Sequence, residues 1–360
     1  MKKSLLVLIS ISVFLACVFT ACFRSTPLRS PADIDFTQLP LKNLSEYGFF
    51  KGKLNELVAN DKVLSYEPIS PLFTDYAHKS RFVWMPEGTP ATILDDPTQT
   101  FDFPQNAILI KNFYYPADFS KPEAERRIIE TRLLVNEEDG WKAYPYVWND
   151  EQTDAKYKIT GGITNVHWKD ENGEAKDINY AMPNKNQCKS CHNQNDKFQP
   201  IGPKVKQLDN ELTYENGEKV NQLIKWQQVG YLMPNTKTTE FVELVNMDHQ
   251  TASLDLKARS YLEANCAHCH SRAGPASTSG LYLNIEEQDP FHWGVLKSPV
   301  AAGIGAGKHK FAIAPGKGDE SIIPYRMNST HPGVMMPEIG RVSIHSEGVA
   351  LIKAWINEME

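Results

Sequence analysis

The chain has 360 residues, with 38 Lys and Arg against 44 Asp and Glu, and a formal net charge of −6. This length is sufficient for two or three domains. The acidic balance gives no electrostatic basis for binding nucleic acid, and it favours a protein partner with a basic docking face.

The N-terminus has the pattern of an export signal. Two lysines precede an apolar run from Leu5 to Ala21, which ends in small residues before Cys22. This pattern predicts a lipoprotein-type signal peptide over residues 1–21, with Cys22 lipidated after cleavage. Cys17 is a second candidate for this processing, and an uncleaved N-terminal transmembrane anchor is the alternative. In either case we expect the body of the protein on the periplasmic side, attached to the inner or outer membrane.

The first half of the remaining chain carries mainly β signals. Residues 22–42 are rich in Pro, Ser and Thr and are interpreted as a tether. Within residues 43–182, an apolar and aromatic run covers 107–115, and polar turns at 138–140 and 170–173 separate strand-like segments. Repeated hairpins of this kind predict a β-sandwich-like domain.

Two copies of C-x-x-C-H follow, at Cys188–His192 and Cys266–His270. This spacing is the attachment signature of c-type haem, because two thiols three positions apart reach the two porphyrin vinyl groups and the adjacent imidazole reaches the iron. We therefore predict two covalently bound haem c groups. The residues that hold them are Cys188, Cys191 and His192 for the first, and Cys266, Cys269 and His270 for the second. A pair of C-x-x-C zinc knuckles is the alternative, and it leaves both adjacent histidines unexplained.

The part of the chain that contains these motifs is predicted to be mainly α-helical. One apolar helical face leads directly into Cys266, and another occupies the C-terminus. Their members are Leu254, Ala258, Tyr261, Leu262 and Asn265, and Val349, Ile352, Trp355, Ile356 and Met359. Two such helices around one motif are typical of a small class I cytochrome c, so residues 253–360 are predicted to form the second haem module. Residues 183–252 are predicted to form the first, in which no leading helix is expected. The fold class is thus multidomain α+β.

A methionine C-terminal to the motif is expected as the second axial ligand of each iron. In the second module Met336 stands before a proline that prevents helix, and Met335 is its close competitor. A thioether ligand favours reduced iron and raises the reduction potential. In the first module Met233 has the same Met-Pro context and is the candidate. The alternatives there are Met182, Met247, His249 and a five-coordinate iron.

The other histidines and one arginine show no pattern that assigns them to a metal site. His268, inside the second motif, is expected to face away from the iron and is assigned no role. Arg326 is interpreted as a partner of a haem propionate or as an exposed side chain. The remaining histidines have no ligand spacing and are expected to be surface or internally satisfied residues; they are His78, His167, His292, His309, His331 and His345.

Several stretches resemble uncharacterised bacterial di-haem c-type cytochromes. The resemblance is carried by residues 183–204, 265–270 and 332–338, and in the amino-terminal half by 129–135 and 144–149. It implies two covalent haems in an exported or lipid-anchored electron-transfer protein, and it implies no substrate.

The sequence therefore favours a membrane-tethered electron carrier that passes single electrons between redox protein partners. The alternative is a di-haem redox enzyme, a peroxidase or an oxidase subunit, with one open iron and His249 or Glu240 as a distal group. A third possibility is that the β-rich domain binds a polymer, a surface or a periplasmic partner through an aromatic platform. The candidate aromatic residues, which otherwise belong to the core, are Trp84, Trp141, Tyr144 and Trp148.

Overall fold

The computed structural model describes residues 30–96, 98–234 and 241–360. The predicted signal peptide, the lipidation candidates Cys17 and Cys22, the beginning of the tether and Glu240 lie outside these residues. Within the described part of the chain, no helix combines the length and the hydropathy needed to cross a membrane.

The first half of the chain is β-rich, as expected. A short ribbon of β1 (Phe50–Lys51) and β2 (Val58–Ala59) precedes a six-stranded antiparallel sheet whose strands follow one another in chain order. The strands of this sheet are β3 (Leu64–Ser65), β4 (His78–Trp84), β5 (Ile108–Pro116), β6 (Arg126–Glu137), β7 (Gly140–Trp148) and β8 (Ala155–Tyr157). The predicted turn at 138–140 joins β6 to β7, where Glu137 lies opposite Gly140 and the glycine has a φ of 107°.

The two faces of the sheet pack against different parts of the chain, because successive side chains of a strand point to opposite faces. On β5, Ile108 and Ile110 pack against the N-terminal segment that contains Tyr47 and Phe49. Leu109 lies on the other face, where residues 205–232 cover it. Further along the same strand and on the same face, Phe113 and Tyr115 pack against a hairpin.

That hairpin consists of β9 (Gly162–Lys169) and β10 (Ala175–Met182), joined by the predicted turn at 170–173. Val166, Trp168 and Tyr180 are among its buried residues. The hairpin covers only one end of the second face. The β-rich part is therefore one large sheet with a small second layer, rather than two sheets of similar size, because later parts of the chain occupy the rest of that face.

The second half of the described chain is mainly helix and loop, which makes the whole a mixed α/β structure. Its helices are α1 (Lys185–Cys191), α2 (Val205–Leu208), α3 (Gln222–Gln228), α4 (Leu254–Asn265), α5 (Pro290–Trp293), α6 (Ile322–Met327) and α7 (Ser346–Asn357). Two small ribbons accompany them, β11 (Asn193–Gln194) with β12 (Lys197–Phe198), and β13 (Glu211–Thr213) with β14 (Lys219–Asn221).

Helices α4 and α7 are the two amphipathic helices expected from the sequence, and they pack against each other. Leu262 of α4 and Ile352 and Trp355 of α7 share one buried cluster. The indole Nε1 of Trp355 donates a hydrogen bond of 2.8 Å to Asp255 at the start of α4. The pairing of these helices was therefore predictable from their apolar faces.

Helix α1 was not expected from the sequence. It runs through both cysteines of the first motif and begins after Asn184. The side-chain oxygen of Asn184 accepts a hydrogen bond from the amide of Gln187, and the Gln187 side chain accepts one from the amide of Asn184. This reciprocal capping satisfies backbone groups that a helix start otherwise leaves unpaired. The segment from Asn179 was expected to lack a leading helix, and there β10 extends to Met182 before α1 begins at Lys185. Apolar periodicity gave no signal for the helix within the motif itself.

The segment before β4 connects the sheet to the C-terminal part. Asp75 is buried, and its Oδ1 accepts three hydrogen bonds of 2.8 Å, from the amides of Val342 and Ser343 and from the Ser343 hydroxyl. The amide of Phe73 donates to Oδ1 of Asn265 at 2.7 Å, next to the second motif. These bonds place the second motif against the sheet.

Candidate functional site

A cavity of about 730 Å³ lies between the second face of the sheet and the helical part. Both C-x-x-C-H motifs line it, with all four cysteines and both terminal histidines. Cofactor pockets in proteins are about 300–1,000 Å³. The structure thus brings together in one cofactor-sized cavity two motifs that are distant in the sequence.

The two motifs meet at their second cysteines. The sulfur atoms of Cys191 and Cys269 and a ring nitrogen of His268 all lie within 4.8 Å of one another. Hydrogen bonds from Cys269 and from His268 lower the pKa of the Cys191 thiol, whereas its contact with Cys191 raises the pKa of Cys269. His268, which received no role from the sequence, therefore lies at the junction of the motifs.

This junction does not assemble a four-thiolate zinc site. Structural zinc sites use four ligands in a tetrahedron. Among the described residues, only Cys191, His268 and Cys269 form a cluster of metal-ligating groups at this distance, and Cys188 and Cys266 are not part of it.

His192 is held as a neutral imidazole whose Nε2 carries no proton. Its Nδ1 lies 2.8 Å from the carbonyl oxygen of Gln199, which can only accept a hydrogen bond, so Nδ1 carries the proton. The ring stacks on Phe198 with 5.2 Å between centroids. Burial lowers the pKa of His192 to about 3. A neutral imidazole oriented by a backbone carbonyl is the usual state of a metal-ligating histidine.

His270 occupies a similar environment in the second motif. Burial lowers its pKa to about 4, with a further contribution from His268. Its Nδ1 is buried and makes no hydrogen bond among the described residues. Both terminal histidines are therefore neutral near pH 7, as ligation of iron requires.

Of the two competing methionines, Met336 lines the cavity and Met335 does not. Two arginines donate hydrogen bonds to the backbone of the loop that contains both methionines. Arg326 donates from Nε to the carbonyl of Val334 at 2.9 Å, and Arg341 donates from Nη2 to the carbonyl of Met336 at 3.0 Å. Arg326 itself also lines the cavity, so the loop and the side chains that fix it face the same space.

The candidates for the first module lie elsewhere. Met233 is 48% exposed, and its amide donates to the carbonyl of Ala91 at 2.9 Å, outside the cavity lining. Met182 is a buried residue at the end of β10 in the hairpin, Met247 packs beside α4, and His249 is exposed. None of these four side chains lines the cavity.

The proposed aromatic platform does not exist as a surface. Trp84, Tyr144 and Trp148 are buried on the first face of the sheet, and Trp141 is buried on the second. These aromatic residues form the core, which was the alternative interpretation of the sequence.

Sequence reasoning missed several polar residues of the cavity. His345 was expected to be unrelated to a site, but it lines the cavity, where its ring stacks on Phe73 and its Nδ1 lies 2.9 Å from the Tyr261 hydroxyl. The sheet contributes Arg81, Lys111 and Arg132. Only Lys111 carries a sequence signal, as a charged residue inside the largely apolar strand β5, whereas β4 and β6 contain several other polar residues.

A buried ionic network connects the two motif regions. Glu263 of α4 lies 3.1 Å from Lys204 and 3.0 Å from Lys206, and Lys206 also lies 2.6 Å from Glu286. Attraction by Lys204 and Lys206 outweighs burial and lowers the pKa of Glu263 to about 2. The network joins the chain after the first motif to the helix that leads into the second.

Comparisons of the chain with family models, with curated proteins and with solved structures find no match. The resemblance to di-haem cytochromes therefore stays an expectation, and the function has to follow from the cavity and its residues.

Proposed function

We propose that this chain is a membrane-tethered, periplasmic di-haem c-type cytochrome that passes single electrons between redox protein partners. The observation that supports this proposal best is that both C-x-x-C-H motifs line one cavity, where the sulfur atoms of Cys191 and Cys269 lie within 4.8 Å of each other. Export, the lipid anchor at Cys22 and the periplasmic location rest on the N-terminal sequence alone.

The residues of the cavity fit two covalent haems. Cys188 and Cys191 would hold one, and Cys266 and Cys269 would hold the other. When bound, haem supplies an iron that accepts and releases one electron. The chain's own contribution is orientation: burial keeps His192 and His270 neutral, and the carbonyl of Gln199 fixes the tautomer of His192.

Met336 is the proposed sixth ligand of the second iron. Its loop is fixed by hydrogen bonds from Arg326 and Arg341 to backbone carbonyls. Because a fixed ligand keeps the reorganisation of the iron small, this arrangement suits electron transfer.

A second candidate function follows from the first module. None of its four proposed axial ligands lines the cavity, which favours an iron with one open position. A di-haem redox enzyme needs such a position together with a nearby acid or base. His345 and His268 both line the cavity and carry suitable ring nitrogens.

The test is maturation of the full chain in a host that attaches haem c, followed by mass spectrometry, metal analysis and optical and spin-resonance spectra. We expect two haems per chain. Met336→Leu should remove the methionine–iron band in the near infrared, whereas Met335→Leu, at the buried neighbour outside the cavity lining, should keep it. A high-spin ferric signal from one haem of the unaltered protein would favour the enzyme. Free thiols with bound zinc would refute both proposals.

A further inference from the structure

Three cationic side chains form a row across the sheet. Arg81 on β4 lies directly opposite Lys111 on β5, and Lys111 lies directly opposite Arg132 on β6. All three line the cavity. We call these residues the cation row. Like charges placed directly opposite each other destabilise a sheet. The repulsion within the cation row therefore has to be offset by interactions with negative groups.

Only one member of the row has an anionic partner among the described residues. Arg132 binds the buried carboxylate of Glu130 through two hydrogen bonds, of 2.9 Å from Nε and 2.5 Å from Nη2. Glu130 also accepts a hydrogen bond of 2.7 Å from Tyr180, so both of its oxygens already have donors. In the described part of the chain, neither Arg81 nor Lys111 makes a side-chain hydrogen bond or an ion pair, although Arg81 is only 7% exposed.

A further lysine adds positive charge beside the row. Lys79 lies on the same face of β4, and its Nζ bonds only the carbonyl of Ala77, at 2.9 Å. Burial and the neighbouring Arg81, Lys79 and Arg132 hold the pKa of Lys111 well below its usual range. The carboxylate of Asp75 is already used by backbone amides near the C-terminus. A buried cation without a partner is costly, so an anion that enters the cavity would be bound there.

We propose that the cation row is a binding site for carboxylate groups, namely the propionates of the haem attached at the first motif. The planar guanidinium of Arg81 matches the two oxygens of a carboxylate, and Lys111 adds a point charge beside it. Helix α1, which carries the first motif, contacts β7, and β7 pairs with β6, the strand that contains Arg132. The electrostatic influence of Arg132 on Cys188 and His192 agrees with this position of the row near the first motif. The identity of the carboxylate rests on the proposed function; a small diffusible carboxylate is the other source of the same chemistry.

The experiment uses the full mature chain and compares four variants with the unaltered protein. Arg81→Gln and Lys111→Gln each remove one charge from the row, and Arg81→Lys keeps the charge but loses the planar fork. Arg127→Gln is the matched control, because Arg127 lies on β6 and pairs with the exposed Asp150 at 2.9 Å, outside the cavity. Haem content is measured first, then the propionate bending bands in the resonance Raman spectrum and the two reduction potentials.

We expect the propionate band of one haem to shift in Arg81→Gln and in Lys111→Gln, to shift less in Arg81→Lys, and to stay unchanged in Arg127→Gln. The potential of that same haem should fall when either charge is removed. A change of potential without any change of the propionate bands would overturn the assignment to propionates.

A second arm separates the two sources of carboxylate. Citrate is titrated into the unaltered protein and into Arg81→Gln while the melting temperature is followed. A saturable rise in the unaltered protein only, with unmoved propionate bands, would assign the row to a diffusible carboxylate instead. No band shift and no citrate effect would refute the site altogether. A mature chain without haem would refute the proposed function and the propionate assignment, and the citrate arm would then decide whether the row binds carboxylates at all.

Discussion

Replacement of Glu263 by glutamine should cost a large part of the protein's stability. Glu263 is buried, its Oε1 lies within 3.1 Å of two lysine ammonium groups, and its Oε2 accepts a hydrogen bond of 3.0 Å from the amide of Ile285. Glutamine keeps the shape but removes the charge. The ammonium group of Lys206 then keeps Glu286 as a partner, whereas Lys204 loses the carboxylate with which it pairs.

Two routes give the magnitude. Removing one partner of a buried ion pair costs about 3–5 kcal/mol. Independently, a pKa that falls from 4.5 to about 2 on folding corresponds to about 3 kcal/mol of stability near neutral pH. The two values agree, so we expect Glu263→Gln to lower the free energy of unfolding at pH 7 by about 3 kcal/mol.

The sign of the pH dependence follows from the direction of the shift. Because the folded protein depresses the pKa of Glu263, its contribution is complete above the pKa of the unfolded chain and is lost as pH falls from about 4.5 towards 2. Glu263→Gln should lack this part of the acid-induced loss of stability.

The assay is urea unfolding, followed by far-ultraviolet circular dichroism at pH 7 and at several values below pH 5. Glu211→Gln is the matched control, because Glu211 pairs with Lys219 at 2.8 Å on the surface, where both side chains are more than half exposed. The control should unfold at the same urea concentration as the unaltered protein. Equal midpoints for Glu263→Gln and the unaltered protein at pH 7 would show that the buried network contributes no stability.

Two further predictions concern the C-terminal part. Gly348→Ala should lower the melting temperature, because the added Cβ would collide with the Tyr261 hydroxyl where α7 crosses α4. A melting temperature equal to that of the unaltered protein would show that close packing at this crossing contributes no stability. Arg341→Ala should loosen the loop of Met336, because the guanidinium donates to four backbone carbonyls there. Peroxide should then convert Met336 to its sulfoxide faster than in the unaltered protein, as measured by peptide mass spectrometry. An unchanged rate of oxidation would show that Arg341 does not hold this loop in place.

Local patterns in the sequence predicted local structure well. The apolar faces within residues 254–265 and 349–359 predicted two helices and their pairing, because a 3.6-residue period in the sequence requires a partner for the apolar face. The polar turns at 138–140 and 170–173 predicted two hairpins, since turn residues and alternation are short-range signals. Helix α1 was not predicted, because its sequence signal is a pair of capping residues rather than a periodic apolar face.

The composition of the cavity could not be predicted in the same way. Met233 and Met336 share the same Met-Pro context, yet only Met336 lines the cavity. A proline controls the backbone beside it, but it carries no information about which distant segment the neighbouring side chain will face. The cation row depends on strand register, which brings Arg81 and Arg132 to opposite sides of Lys111 from distant positions in the sequence.

The three hydrogen bonds of Asp75 also have a consequence for the order of folding. The amide of Val342 that this carboxylate binds lies 267 residues further along the chain. Until the two segments meet, the carboxylate stays hydrated. Contacts that close such long loops are slow to form. Burial of Asp75 is therefore expected among the late steps of folding, after the strands that are neighbours in the sequence have paired.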